Sequence, residues 1–381
     1  MTDKPSSGPW AELKEPNLRR VLLASLLVFG VAALYLLLAY PHDRQGENAP
    51  VSRLRPALHG LIGRGGGGAV VQVGDVRYLL IGDRAVTLFG YSASAAEQYA
   101  KALNRFAAAT GPGVRLYSLL VPTSADFVDT RKYGAASDSQ KDALDRIDER
   151  LDPRFARVNA YGALKAHARE YVYFRTDHHW TALGAYYAYA ALMKTMGERP
   201  VALGEYETGE ITGFLGTAYK ATLSGKLKAH PDTIVYYKPL RNVSYTAYSA
   251  EGKPLVRRVV DPAYARLGSG DYAVFLGGDY PWGEIKTGNR NGRTIVVVKD
   301  SFGNALLPFL LPHFETVAYV DPRSYPGNLL DFVKEHRATD VLFLNSSTVA
   351  RSLGIAESLN KAMGAQSGED PSVRSGAAAS R

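Results

Sequence analysis

Between Arg115 and Leu344 the chain repeatedly runs into short apolar stretches: Arg115–Val121 (RLYSLLV), Arg293–Val298 (RTIVVV), Thr316–Val320 (TVAYV) and Asp340–Leu344 (DVLFL). A strand with one face in water alternates apolar and polar residues, whereas a strand covered on both faces reads as a near-continuous run, and the first of these, stopped by Pro122, is of that kind. The intervening segments have helical character: Ser94–Ala109, ending at Gly111-Pro112-Gly113, the charged Gln140–Leu151, then Tyr161–Glu170, Ala182 to about Met196, Ala305–Leu311 and Leu329–His336. Strands alternating with helices predict an α/β fold, a parallel sheet flanked by helices. In such a sheet ligands and chemistry collect beyond the carboxyl ends of the strands.

The chain has 381 residues, 46% of them hydrophobic, enough to fill a core. It has no cysteine, which excludes disulfides, thiolate-held zinc and thiol catalysis. Any nucleophile is therefore an oxygen or a nitrogen. The net charge of +8 points to an anionic partner or surface, but lysines and arginines are scattered without a dense basic run or RNA-binding aromatic motif, so nucleic acid is not expected.

Residues 21–40, VLLASLLVFGVAALYLLLAY, are uncharged and as long as a membrane-crossing helix needs to be. A cleaved signal peptide has an apolar region of roughly 7 to 15 residues and a small-residue cleavage site. Here Tyr40-Pro41-His42-Asp43 follows instead, so one uncleaved N-terminal transmembrane helix is expected. Arg19 and Arg20 at its N-terminal end put residues 1–20 in the cytoplasm and the bulk of the chain outside it, by the positive-inside rule. Residues 41–70, with prolines at 41, 50 and 56 and glycines from 65 to 68, read as a linker. An extracytoplasmic domain over 71–365 and a disordered tail over 366–381 follow. Within the domain, a hairpin is expected at Val76–Ile81 and Ala85–Phe89. Residues 198–270 read as a β-rich insertion, a lid or substrate platform. Its Tyr206, Tyr219, Tyr236, Tyr237, Tyr245 and Tyr248 suit stacking on sugar rings, or are ordinary β-surface residues.

Two stretches carry the chemistry. The first is Arg175-Thr176-Asp177-His178-His179-Trp180-Thr181, after the β-type run Tyr171–Phe174. Residues two apart in extended or turn backbone share a side, so Asp177 is placed to reach His179 and fix its tautomer. Helix capping by Asp177 and His178 is the competing reading; for a metal site two adjacent histidines diverge and no third ligand is suitably spaced. The second stretch is Lys299-Asp300-Ser301-Phe302-Gly303-Asn304, where a strand passes into a helix. A serine there stands among free backbone N–H groups, as an acyl-transfer nucleophile would; a helix cap by Ser301 or Asp300 fits equally. Lysine at 299 breaks the GxSxG pattern of ordinary α/β-hydrolases. The loop Gly277-Gly278-Asp279-Tyr280-Pro281-Trp282, after the strand-like Asp271–Leu276, permits close backbone approach to a ligand.

At Asp177-His178-His179-Trp180, and through YFRTDHHWT, FLGGDYPW, VVKDSFGNALLPFLLPHF and TDVLFLN, the chain resembles the bacterial DHHW family. That family is distantly similar to extracytoplasmic alginate O-acetyltransferases, whose catalytic domains are SGNH-hydrolase-like with a circularly permuted strand order. The resemblance implies that Asp177 and His179 are acid and base, that Ser301 is the nucleophile and that Asn345 is the oxyanion-hole asparagine. Gly277, Gly278, Asn304, Arg175 and Trp180 are the other candidates for oxyanion or substrate contacts. The strand at 115–121 and the one before Asp177 would be the last two of the usual order, moved ahead of the serine strand. Lys299 stands where the family pattern Gly-Asp-Ser has glycine. The implied activity is acetyl transfer or acetyl-ester hydrolysis on a cell-surface polysaccharide, without cofactor or metal, with a membrane-bound O-acyltransferase as acetyl donor. The alternative is a non-catalytic carbohydrate-binding or cell-envelope assembly protein that keeps the fold.

Overall fold

The computed structural model of the protein describes residues 59–65, 67–266 and 270–364. The expected span at 21–40, the segment before it, most of the linker and the tail from 366 lie outside those residues. Among the described residues no helix is long and apolar enough to cross a membrane.

An antiparallel sheet of four strands comes first: β1 (His59–Gly65), β2 (Gly68–Val73), β3 (Val76–Ile81) and β4 (Arg84–Thr87). The linker reading gives way here. Gly65 at the end of β1 pairs with Gly68 at the start of β2, so among the described residues strand structure is already present at His59, ahead of the expected start at Val71. Val70, Leu79, Val86 and Leu88 bury themselves against Ala125 and Ala135 in a small separate core.

The central sheet grows from the apolar runs. In chain order the elements are α1 (Ala93–Ala109), β5 (Arg115–Val121), α2 (Gln140–Asp148), β6 (Phe155–Arg157), α3 (Ala160–Ala166) and α4 (Ala182–Met196). Next come β7 (Thr208–Phe214), the short helices α5 (Thr217–Thr222) and α6 (Gly225–Ala229), β8 (Asp232–Tyr237), β9 (Ser244–Tyr248), β10 (Pro254–Arg257) and β11 (Trp282–Lys286). The last are β12 (Thr294–Lys299), α7 (Gly303–Leu310), β13 (Thr316–Val320), α8 (Leu329–Glu335), β14 (Asp340–Ser346) and α9 (Gly354–Ala362). The sheet order is β10-β9-β11-β13-β12-β14-β5-β6. From β13 to β6 the strands are parallel; β11, β9 and β10 continue the other edge antiparallel.

Side chains alternate across a strand, and both faces are buried. Ile295, Val297, Val317, Leu342 and Leu344 pack with residues of α3, α4 and α7. Val296, Val298, Ala318, Val341 and Phe343 pack with residues of α1, α2, α8 and α9. Phe343 meets Phe106 and Phe155 edge-on at centroid distances of 5.0 and 5.8 Å. Each fully buried side chain of this kind contributes about 1.5–3 kcal/mol, which is why these four runs carry no alternation.

Two expectations are corrected. Tyr171–Phe174 is not a strand of the sheet: Tyr173 makes only an isolated antiparallel bridge with Trp180. The chain doubles back within a few residues, and the Arg175 and Thr176 amides bond the Asp232 carboxylate instead of a neighbouring strand. The strand that lies beside β5 in the sheet is therefore β6 rather than one before Asp177. Asp271–Val274 is a turn of 3₁₀ helix, not a strand. Residues 198–270, read as a β-rich insertion, contribute β9 and β10 to the edge of the central sheet, while β7 and β8 pair with each other. Their Tyr206, Tyr236 and Tyr245 are core residues.

Candidate active site

The loop from Arg175 to Thr181 is built around two buried carboxylates. Asp232, at the start of β8, accepts from the Arg175 and Thr176 amides, the Thr176 hydroxyl, the Arg175 guanidinium and the Tyr171 hydroxyl. This fixes the entry to the loop. The exit is fixed by the Thr181 amide, which donates to Val172 O, and by the Thr181 hydroxyl, which accepts the Gly184 amide and caps α4. Between them Asp177 Oδ1 accepts the His179 amide at 2.9 Å, closing a tight turn that puts both side chains on one side. Helix capping is thus the work of Thr181, not of Asp177 or His178.

Asp177 and His179 are buried at 4% and 6% relative exposure, and Asp177 Oδ1 lies 2.5 Å from His179 Nδ1. Asp177 Oδ2 accepts the Thr217 amide at 2.7 Å and its hydroxyl at 3.0 Å. This approach of α5 requires glycine at 216, since a Cβ there would sit 2.2 Å from Asp177 Cβ. Burial alone would push the Asp177 carboxyl up, but the imidazoles of His179 and His178 and the Thr217 amide outweigh it and hold the group far below the usual carboxylate range. An anionic Asp177 accepts the proton of His179 Nδ1, and in the neutral imidazole this tautomer leaves a lone pair on Nε2. The His179 ring lies flat on Tyr272, with centroids 4.0 Å apart and planes 8° from parallel.

That lone pair faces Ser301. His179 Nε2 and Ser301 Oγ are 2.7 Å apart, although the residues are separated by 122 positions. Ser301 sits in the turn between β12 and α7 and is half-buried. Asp300, not Ser301, satisfies the turn: its carboxylate accepts the Phe302 amide at 3.0 Å and the Ser346 amide at 2.7 Å. The Ser301 hydroxyl is left to donate to His179. Burial pushes the Asp300 carboxyl up, with the Ser346 amide and Arg323 opposing. An imidazole poised over a serine hydroxyl, backed by a carboxylate, is equipped to remove a proton as the oxygen attacks a carbonyl.

The family model of the DHHW protein matches residues 65–320. The chain belongs to the DHHW family. A DHHW family protein from Eubacterium siraeum is 33% identical over 78% of this chain and 95% of its own, with a TM-score of 0.66. Bacillus cereus PatB1, in its structure with a sulfonyl adduct, is 21% identical over 74% of this chain and 98% of its own at a TM-score of 0.63, a likeness of fold. The O-acetyltransferase domain of Pseudomonas putida AlgJ is 16% identical over 77% of this chain and 99% of its own, with a TM-score of 0.41. No curated protein matches the sequence.

The other residues of the DHHW motif and its surroundings divide by position. Trp180 is fully buried and donates from Nε1 to Phe302 O at 3.0 Å, which makes it a brace rather than a substrate contact. Arg175 is held by Asp232, by Asp83 Oδ2 at 2.7 Å and by Pro231 O at 2.9 Å, and it too is structural. The Gly277 and Gly278 amides already donate to Ala273 O and Phe275 O, so neither is available to hold an oxyanion. Asn345 is fully buried in β14, with Oδ1 accepting from Tyr99 of α1, on the far side of the sheet from α7. None of its hydrogen bonds among the described residues reaches Ser301 or His179. Asn304 stands in the first turn of α7 and gives Nδ2 to Asp279 Oδ1 at 2.7 Å.

The histidine rings do not diverge as expected from adjacent positions. His178 and His179 overlap at 3.8 Å between centroids, and His178 Nδ1 meets Thr217 Oγ1 at 2.6 Å. Ligand atoms of Asp177, His178 and His179 come within 4.8 Å of one another, a spacing a metal ion could use. In this arrangement, however, Asp177 and both His179 nitrogens already bond each other, Thr217 and Ser301. Residues not picked out in the sequence for roles here are Thr217, Tyr272 and Asp232. Each reaches the loop from a separate segment 40 or more positions on, and no local pattern marks it.

Proposed function

We propose that the protein is an acyl-transfer enzyme that moves or removes acetyl groups on a cell-surface polysaccharide, with Ser301 as nucleophile, His179 as general base and acid, and Asp177 as the carboxylate that orients it. The observation that carries this reading is the unbroken line from Asp177 Oδ1 to His179 Nδ1, at 2.5 Å, and from His179 Nε2 to Ser301 Oγ, at 2.7 Å. As Ser301 Oγ bonds to the acetyl carbon, its proton passes to Nε2 and the carbonyl π pair moves to oxygen. Collapse of the tetrahedral intermediate expels the alcohol, which takes the proton from Nε2 and leaves an acetyl ester on Ser301. A sugar hydroxyl or water then attacks that ester by the same steps in reverse.

Two features near the nucleophile support charge development. The Ser301 amide has no acceptor among the described residues, and it lies at the N-terminal approach to α7, where backbone N–H groups favour an oxyanion. Imidazolium formation is aided by the fixed anion of Asp177 and by the Tyr272 ring face. A permuted SGNH-like arrangement agrees with a sheet in which β5 and β6 precede the serine strand in the chain but lie beyond β14 in space.

The uncharged stretch at 21–40 would anchor the domain on the outer side of the cytoplasmic membrane. Acetyl-CoA is not at hand there, so the transferase direction calls for a donor delivered by a membrane-bound O-acyltransferase. The test is ester turnover. The purified domain should hydrolyse p-nitrophenyl acetate, and Ser301→Ala should abolish this without changing the unfolding midpoint. Wild-type protein that is inert toward this ester and toward acetylated polysaccharide would leave the non-catalytic, carbohydrate-binding reading in its place.

A further inference from the structure

Lys299 is the last residue of β12, two positions before Ser301, and its side chain is fully buried. An ammonium removed from water costs several kcal/mol unless it is paired and hydrogen-bonded. Lys299 Nζ has no hydrogen-bond partner among the described residues, lies 5.0 Å from the centre of the Tyr319 ring and faces Asp279 Oδ1 at 3.8 Å. The fold makes room for it: a Cβ at position 303 would come within 2.6 Å of Lys299 Cδ and 2.7 Å of its Cβ. Gly303, the first residue of α7, is thus the slot through which the lysine stem passes beneath the Ser301 turn.

Asp279, at the far end of that slot, joins three segments. Its Oδ1 accepts from Asn304 Nδ2 at 2.7 Å, and its Oδ2 accepts from the Arg323 guanidinium at 3.2 Å. Asn304 in turn gives its amide to Ser301 O at 3.2 Å, and its side-chain oxygen is buried without a partner. Burial pushes the Asp279 carboxyl up, but Lys299 and Arg323 outweigh it and keep it ionised.

We propose that Lys299 is a positioning residue whose buried ammonium anchors Asp279, and through Asp279 holds Asn304 and the 277–282 loop in register with Ser301. The role rests on the acyl-transfer reading only for its effect on turnover, because the anchoring itself is a property of the fold. Lys299 acts through Asp279, so the two residues should be coupled. Methionine fills the same slot without the charge and leaves Asp279 with Arg323 and the Asn304 amide.

The experiment compares wild type, Lys299→Met, Asp279→Asn and the double variant Lys299→Met with Asp279→Asn, by steady-state turnover of p-nitrophenyl acetate and by amide hydrogen exchange. In Lys299→Met, exchange over residues 277–283 should quicken while that of β12 and β14 stays unchanged. The kcat should fall about tenfold, as a misplaced reacting group does, with KM moving less than about twofold. The double variant should lose less than the two single losses combined. Equal kcat and equal loop exchange in Lys299→Met and wild type would overturn the proposal. Should Lys299→Met fail to fold, the double variant, neutral at both positions, decides: faster loop exchange than wild type supports the anchor, and identical exchange overturns it. If wild type itself does not turn the ester over, the acyl-transfer reading fails, and the exchange comparison still decides the role of Lys299.

Discussion

Trp180 Nε1 donates to Phe302 O at 3.0 Å, and this bond ties the loop that carries Asp177 and His179 to the turn that carries Ser301. Trp180 is fully buried and packs against the Phe302 ring at 5.5 Å. Trp180→Phe keeps an aromatic ring but removes the Nε1 donor from the Phe302 carbonyl, which retains the intrahelical bond it accepts as N-cap of α7. Losing one such hydrogen bond costs about 0.5–1.5 kcal/mol, so the chemical-denaturation midpoint should fall accordingly. Because the bond sets the distance between base and nucleophile, kcat should fall more than KM rises.

Tyr272 supplies the surface on which His179 rests. Its ring, rather than its hydroxyl, makes the contact. Tyr272→Phe should therefore retain most ester turnover, whereas Tyr272→Ala should lose roughly 1 kcal/mol of support for the imidazolium, about fivefold in kcat. Steady-state kinetics of the two variants side by side would check this.

The Asp177 carboxyl is held below its ordinary range, so the folded state binds fewer protons than the unfolded chain as the acid limit is approached. Its contribution to stability is complete above the unfolded value of about 3.9 and is lost as pH falls below it. Thermal midpoints of wild type and Asp177→Asn should therefore lie furthest apart near neutral pH and converge in acid. A gap that widens on acidification would contradict the assignment.

Asp148, at the end of α2, has the opposite sign. Burial pushes its carboxyl up to about 6, and its Oδ1 has no partner among the described residues. The folded state holds this proton where the unfolded chain has released it, so stability falls as pH rises from about 3.9 through 6 and the penalty is complete above. Asp148→Asn should raise the melting midpoint at about pH 8 and lose that advantage near pH 4.

Much of this arrangement is legible in the sequence because it follows from local periodicity. The runs at 115–121, 293–298, 316–320 and 340–344 are continuous in apolar character since both faces of β5, β12, β13 and β14 are covered. The spacing of Asp177 and His179, two apart, places them together wherever a tight turn forms. Tyr171–Phe174 misleads: its β-type composition reflects burial against Phe214, Tyr272 and Phe127, not strand pairing. Gly65 and Gly68 mislead in the same way, because glycine serves paired strand ends as well as a linker. Asp232 and Thr217 could not be found from the motif itself. They reach it by tertiary contacts across 56 and 40 positions, and isolated polar residues carry no period. Asn345, expected just after a buried strand, lies within β14, and the pleat turns its side chain toward Tyr99.

The central claim is that Ser301 Oγ becomes acylated with His179 as the base. The direct measurement is the intact mass of the protein quenched in acid during p-nitrophenyl acetate turnover, followed by peptide mapping. The account predicts a single added acetyl group on the peptide containing Ser301, absent from Ser301→Ala and strongly reduced in His179→Ala. An acetyl group at another residue, or turnover that survives in Ser301→Ala, would contradict it.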